Sequence, residues 1–245
     1  MKRQMVVMNY GKINNIMRAS KSRKSDWGSR GDIENRRDVI LRALNNVLRV
    51  HSRPESFRMK DLADYLGVVK GNLYYYFKSK QDLLYQCRMR CLQQSLETLH
   101  RVGEDPRPVG EKLRQLLKEH ILVLIEGQYS AALLLDAGYM SLTRRQKYVS
   151  LRDEFETGMR RLIEEGIAAG EFPKQNVRMA SLAILGAINW MPKWYRPDGT
   201  FTATAIAEYQ SDFFVSALKA ARGLSTLTNQ NHASAESMHP ANVTY

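Results

Sequence analysis

The sequence predicts an all-α fold in two parts, a small N-terminal unit of three helices and a larger helical C-terminal unit. Three observations point there. Apolar residues recur at spacings of 3 and 4 along most of the 245 residues, the mark of helices that bury one face. No segment alternates apolar and polar residues with period two, so strands are not expected. The charge is also divided: residues 1–90 hold 20 Lys+Arg and 8 Asp+Glu, whereas residues 91–245 hold 17 of each. The whole net charge of +12 therefore sits in the first third of the chain. A basic module joined to a neutral one serves nucleic acid most often and anionic lipid second.

Residues 1–33 are basic, carry SKSRKS and GSRGD, and show no sustained period, so they read as a disordered tail. From Glu34, Val39, Ile40, Ala43, Leu44, Val47 and Leu48 define a first helix, ended by the HSRPES loop. Met59–Leu66 is a short second helix, with Leu62, Ala63 and Leu66 inside, and Gly67 breaks it. A third short helix runs from Lys70 to Phe77. A long one follows from Lys80 to Arg101, its apolar face made by Leu83, Leu84, Cys87, Cys91, Leu92, Leu96 and Leu99. GEDPRPVG is a linker. Beyond it helices are expected over 110–127, 130–141, 143–170, 175–191 (stopped by Pro192) and 202–222. The polar residues 223–245 read as a second disordered tail.

Helix, glycine, helix at this spacing is what a helix-turn-helix needs. Small Ala63 lets two helices cross closely, Gly67 permits positive φ, and Leu73 and Phe77 pack the second helix on the first. The row Tyr74, Tyr75, Tyr76 then has a use. Residues of a helix point about 100° apart, so three adjacent rings cannot share one core. With Leu73 and Phe77 inside, the phenols fan outward, where they can meet phosphates or bases of a major groove.

The stretch KDLADYLGVVKGNLYYYFKSKQDLL closely resembles the DNA-binding domain of TetR-type transcriptional regulators, and residues 37–84 carry the likeness. The resemblance implies that Tyr74, Tyr76 and Lys80 contact phosphate and that Lys70, Gly71, Asn72 and Tyr75 approach base edges. It also implies that Lys60 reaches a base and Arg58 a phosphate. Three positions depart from the pattern. Val69 stands where Ser usually caps the recognition helix, Tyr76 stands where His is common, and a capping Thr or Ser is missing near Phe57–Arg58. A lost cap costs about 1 kcal/mol, so Ser56 or packing is expected to compensate. RDEFETGMRRLIEEGIAAGEF and LGAINWMPKWYRPDGTFTATAIAE are similar to a TetR subgroup that senses acyl-CoA thioesters.

The fold class implied is an N-terminal helix-turn-helix DNA-binding domain, residues 34–80, followed by a helical ligand-binding and dimerisation domain, residues 81–222. The partners implied are double-stranded DNA, a second copy joined through helices near 175–191 and 202–222, and a small-molecule effector of the acyl-CoA type. Trp190 and Trp194, one turn apart around Pro192 with Lys193 and Arg196 beside them, could hold an acyl part and an anionic head group. An equally open reading is that the tryptophans fix the bend between the last two helices.

Little speaks for catalysis. His51, His100, His120, His232 and His239 are scattered, no phosphate-cradling loop is present, and Cys87 and Cys91 face an apolar seam. No cofactor, metal site or membrane span is expected, and two cysteines without framework spacing suit a reducing cytoplasm. The rival from another class is a basic membrane-surface or protein-interaction module, against which Gly11 and Gly28 interrupt any amphipathic helix in the tail.

Overall fold

The computed structural model describes residues 33–50, 56–134, 138 and 140–221, and the regular elements among them are all helical. They are α1 (Ile33–Val50), α2 (Met59–Leu66), α3 (Lys70–Tyr76), α4 (Lys80–Gly103), α5 (Val109–Ile125), a 3-10 turn (Ser130–Leu134), α6 (Leu142–Ala168), α7 (Val177–Trp194) and α8 (Ala203–Ala220). Apart from Ile33, which opens α1, the two expected tails lie outside the described residues. None of the described helices is long and apolar enough to cross a membrane.

Helices α1 to α3 close around Ile40, Leu44, Leu48, Phe57, Leu62, Leu73 and Phe77, all fully buried. The first turns of α4 finish this core with Leu83 and Leu84. The same helix then runs on into a second core. There Cys91, Leu96 and Leu99 meet Leu113, Leu116, Leu117 and Ile121 of α5 and Phe155, Met159, Leu162 and Ile163 of α6. Helix α5 is central: α4, α6, α7 and α8 all pack on it. Its contact with α8 is framed by the ion pairs Arg114–Asp212 and Lys118–Glu208, each 2.9 Å.

Local chemistry starts three of the helices. Ser79 caps α4 by accepting the Asp82 N–H (3.0 Å), Asn176 caps α7 (Met179 N–H, 3.0 Å), and Thr202 caps α8 (Ala205 N–H, 3.1 Å). Helix α5 starts at Pro108, which has no capping side chain. Its first two N–H groups are taken instead by the carboxylate of Glu171, at 2.7 and 2.8 Å, which also suits the positive end of the helix dipole. Glycines set two close approaches. A Cβ on Gly158 would lie 2.3 Å from Leu99 Cδ2, and one on Gly166 2.3 Å from Phe172 Cδ2.

Two expectations are corrected. Where a helix was expected over 130–141, Ser130–Leu134 form a 3-10 turn, and residues 135–137 and 139 lie outside the described residues. The turn's carbonyls are claimed from outside, since Arg88 donates to the Ala132 oxygen at 3.1 Å. Arg49 donates to the Ser130 hydroxyl, which itself donates to the Gly127 carbonyl. The helix expected to stop at Pro192 runs on to Trp194. A proline removes one N–H, but here it stands in the last turn, and the Tyr195 N–H still bonds the Met191 carbonyl at 2.9 Å.

The cysteines do lie in the core. Cys87 donates weakly to the Tyr129 carbonyl (3.5 Å) and Cys91 to that of Val123 (3.7 Å), and burial pushes both thiols up. His120 is buried beside them, its Nδ1 2.9 Å from Ser95 Oγ and its ring 4.3 Å from that of Phe155. Burial pulls its pKa down to about 3.

Two outcomes follow. Gly158→Ala forces Leu99 aside and is expected to lower stability by about 1–3 kcal/mol in urea unfolding. For His120, the unfolded chain takes up a proton below its ordinary pKa of 6.5, while the folded chain resists until about pH 3. The stabilisation is whole above pH 6.5 and is lost as pH falls toward 3, by at most about 1.4 kcal/mol per pH unit. In His120→Phe that acid limb of the stability curve is expected to flatten.

Candidate nucleic-acid interface

The turn between α2 and α3 is built from the backbone outward. Gly67 ends α2 in the left-handed region at φ +68. From there its N–H returns to the Asp64 carbonyl (3.3 Å) and that of Val68 to Ala63 (3.0 Å). Buried Ala63 leaves room for the crossing. Leu73 and Phe77 then anchor α3, and Arg37 lies over the Phe77 ring at 5.2 Å.

This anchoring leaves the other side of α3 open. Lys70, Gly71, Asn72, Tyr74 and Tyr75 are exposed together, Tyr75 by 71 % and Tyr74 by 44 %. The Lys70 ammonium sits 5.5 Å over the Tyr74 ring. A methyl group on Gly71 would meet nothing of the protein within 4 Å, so internal packing does not require a glycine there. Lys60 is exposed on α2 nearby.

Three residues are less free than expected. Tyr76 does not fan outward. It stands three residues after Leu73, so it leans toward the core, is half-buried, and its hydroxyl accepts from Arg36 Nη1 at 3.2 Å. Its ring stands edge-on to Tyr75, with centroids 4.9 Å apart. The Lys80 ammonium donates to the Phe57 carbonyl and sits 5.2 Å over the Phe57 ring, and partial burial pulls its pKa down. It therefore ties the start of α4 to the loop before α2. Arg58 stands at the cap position of α2, where Ser56 or packing was expected to make good a missing cap. The carboxylate of Asp61 accepts the Arg58 N–H at 2.8 Å, the reciprocal half of a capping box, and pairs with its guanidinium at 3.1 Å.

Arg36 belongs to the same surface. A cleft of about 460 Å³ opens between α1 and α3, lined by Arg36, Gly67, Val68, Val69, Asn72, Tyr75 and Tyr76. Neither Arg36 nor Val69 was among the expected contacts. Arg36 lies 40 residues from its Tyr76 partner, and no local pattern joins them.

The four residues assigned to an effector lie apart from this surface, at the end of α7. Trp190 is 64 % exposed and Trp194 45 %, with Lys193 and Arg196 also at the surface. They continue an outward apolar stripe that includes Met179 and Leu182. On α8, Tyr209 and Phe213 form a second stripe, their rings parallel within 10° and 6.5 Å apart.

Comparisons with known proteins agree with both halves. The family model for bacterial regulatory proteins of the tetR family matches residues 54–87, and that for the tetracyclin repressor-like C-terminal domain matches residues 106–218. The fatty acid metabolism regulator protein of Bacillus subtilis (strain 168) is 25% identical over 165 residues, 66% of this chain and 84% of that protein. The crystal structure of the TetR family transcriptional regulator PfmR from Thermus thermophilus superimposes with a TM-score of 0.65 at 29% identity, covering 72% of this chain and 97% of that one. AibR, solved in complex with isovaleryl coenzyme A and operator DNA, shares the fold with a TM-score of 0.63 at 20% identity, over 75% and 98% of the two chains.

Removing the Lys80 ammonium takes this donor from the Phe57 carbonyl. Lys80→Ala is expected to cost about 1 kcal/mol in urea unfolding, whatever its effect on binding.

Proposed function

The chain belongs to the TetR family of bacterial regulatory proteins, and on that footing we propose that it is a ligand-responsive repressor of transcription. It binds a palindromic operator as a homodimer and lets go when an acyl-CoA thioester of lipid, steroid or aromatic degradation binds. The observation that carries the reading is the open face of α3, where Lys70, Gly71, Asn72, Tyr74 and Tyr75 project from a firmly anchored helix. Residues 34–80 act as the reader and residues 81–222 as the sensor and dimerisation unit, in the bacterial cytoplasm.

Each side chain has a role that its chemistry supports. Tyr74 and Arg58 meet phosphate oxygens, joined by Lys80 and Tyr76 where their internal bonds allow. Lys70, Asn72, Tyr75 and Lys60 meet base edges, and Gly71 lets the backbone come close. The stripes on α7 and α8 suit a four-helix seam between two copies. A two-fold dimer presents two readers one helical turn apart, about 34–36 Å. Trp190, Lys193, Trp194 and Arg196 offer rings and cations to the thioester, whose class is suggested by the fatty acid metabolism regulator and by AibR.

Release needs a route from sensor to reader. Helix α4 belongs to both cores, so a shift of its far end moves α3. To turn a mostly bound population into a mostly free one, the effector must favour the released state by about 5 kcal/mol.

The test is fluorescence anisotropy on the DNA upstream of the protein's own gene against a scrambled duplex, with and without a panel of acyl-CoAs. Specific binding relieved by an acyl-CoA, and no longer relieved in Trp194→Phe, is the expected result. Binding that no acyl-CoA relieves would discard the thioester. No preference for any natural duplex would sink the regulator. Tyr75→Ala is expected to change sequence preference, and Lys80→Ala to weaken all duplexes alike and lower the salt slope by about one.

A further inference from the structure

Val69 is the residue that the reader's own architecture does not explain. It stands at the N-cap of α3 in extended conformation (φ −76, ψ 143), where a side-chain oxygen would stabilise the helix, and it makes no capping bond. It does not serve the core either. Its neighbour Val68 packs against the buried cluster, while Val69 is 69 % exposed. A β-branched apolar side chain is thus held out to solvent on a basic, polar face.

Its neighbours say what it faces. Val69, Asn72 and Tyr75 are three residues apart, share one side of α3, and line the cleft that Arg36 closes. Lys70 follows directly. If α3 lies in a major groove, that stripe is the part nearest the base edges. An isopropyl group there neither donates nor accepts a hydrogen bond. Set against an amino, carbonyl or ring nitrogen edge, it would strip water and return nothing. The one major-groove group that gains from it is the C5 methyl of thymine.

We infer that Val69 reads the C5 methyl group of a thymine in each operator half-site. The inference deepens the proposal that α3 enters the major groove and stands on it. Val69 becomes a specificity-determining contact, and the missing helix cap is the counterpart of an apolar contact with DNA.

The test uses the full-length chain. A preferred duplex is selected from a randomised pool, and each thymine in it is replaced in turn by deoxyuridine, which keeps base pairing and removes only the methyl. The expected result is one symmetry-related thymine in each half-site whose replacement weakens wild type about fourfold, and about fifteenfold when both are replaced, as for one methyl-sized group returned to water per half-site. Val69→Ala should bind thymine and deoxyuridine duplexes alike. Val69→Ser should do the same while unfolding at no lower temperature than wild type, because its hydroxyl can cap α3. That pairing separates a lost contact from a lost fold. Equal sensitivity to deoxyuridine in wild type and both variants, or no sensitive thymine at all, overturns the inference and leaves the reader intact. A pool that yields no preferred duplex overturns the DNA-reading proposal itself, and Val69's role with it.

Discussion

Asp82 is buried in the first turn of α4, and the two halves of the molecule meet on it. One carboxylate oxygen accepts the Lys78 N–H at 2.9 Å, closing the turn that follows α3. The other is held by Arg144 of α6 at 2.5 Å, whose guanidinium also lies 4.9 Å over the Tyr85 ring. A carboxylate taken out of water is costly unless it is paired and hydrogen-bonded, and losing a partner exposes that cost in full. The pose of the reader and the pose of α6 are therefore energetically one choice. A movement of α6 that drew Arg144 away would disturb the turn that positions α3.

Further ties share this logic. Arg49 at the end of α1 donates to the Ile125 carbonyl at 2.8 Å and to Ser130. The Tyr129 hydroxyl donates to Asp38, and burial together with that bond pushes its pKa up to about 12. Arg88 on α4 reaches the carbonyl of Ala132. Residues 125–132 are thus fastened to α1 on one side and α4 on the other. These bonds are polar and directional, and they lie over closely packed apolar cores. A contact of that kind has discrete made and broken states, which suits a junction between two helical units.

The surfaces divide the labour differently. On α3 the exposed groups are phenols, an ammonium, a carboxamide and Val69, spaced to meet a polar, ordered partner. On α7 and α8 they are methionine, leucine, tryptophan, tyrosine and phenylalanine in two stripes, a composition suited to another apolar face. Helices α7 and α8 both rest on α5, and the buried Ile206, Ala207, Phe214, Val215 and Leu218 of α8 leave Tyr209 and Phe213 turned outward.

Much of this was legible in the chain. Periodicity marked the helices, Gly67 the turn, and Leu73 and Phe77 the inner side of α3, because those signals lie within one or two turns of the residues they govern. The charge division and the KDLADYLGVVKGNLYYYFKSKQDLL stretch located the reader. What the chain left open depended on residues far apart in it. The Tyr76 hydroxyl finds its partner in Arg36, 40 residues upstream, and Lys80 is drawn to a carbonyl 23 residues back. Residues 130–134 tighten into a 3-10 turn because Arg49 and Arg88 arrive from other helices. Helix α5 starts without its own cap because Glu171, some 60 residues on, provides one. Sequence periodicity reports which side of a helix avoids water. Only the folded chain decides which distant polar group meets a buried carbonyl or an uncapped helix end, because leaving either without a partner costs more than bending local preference.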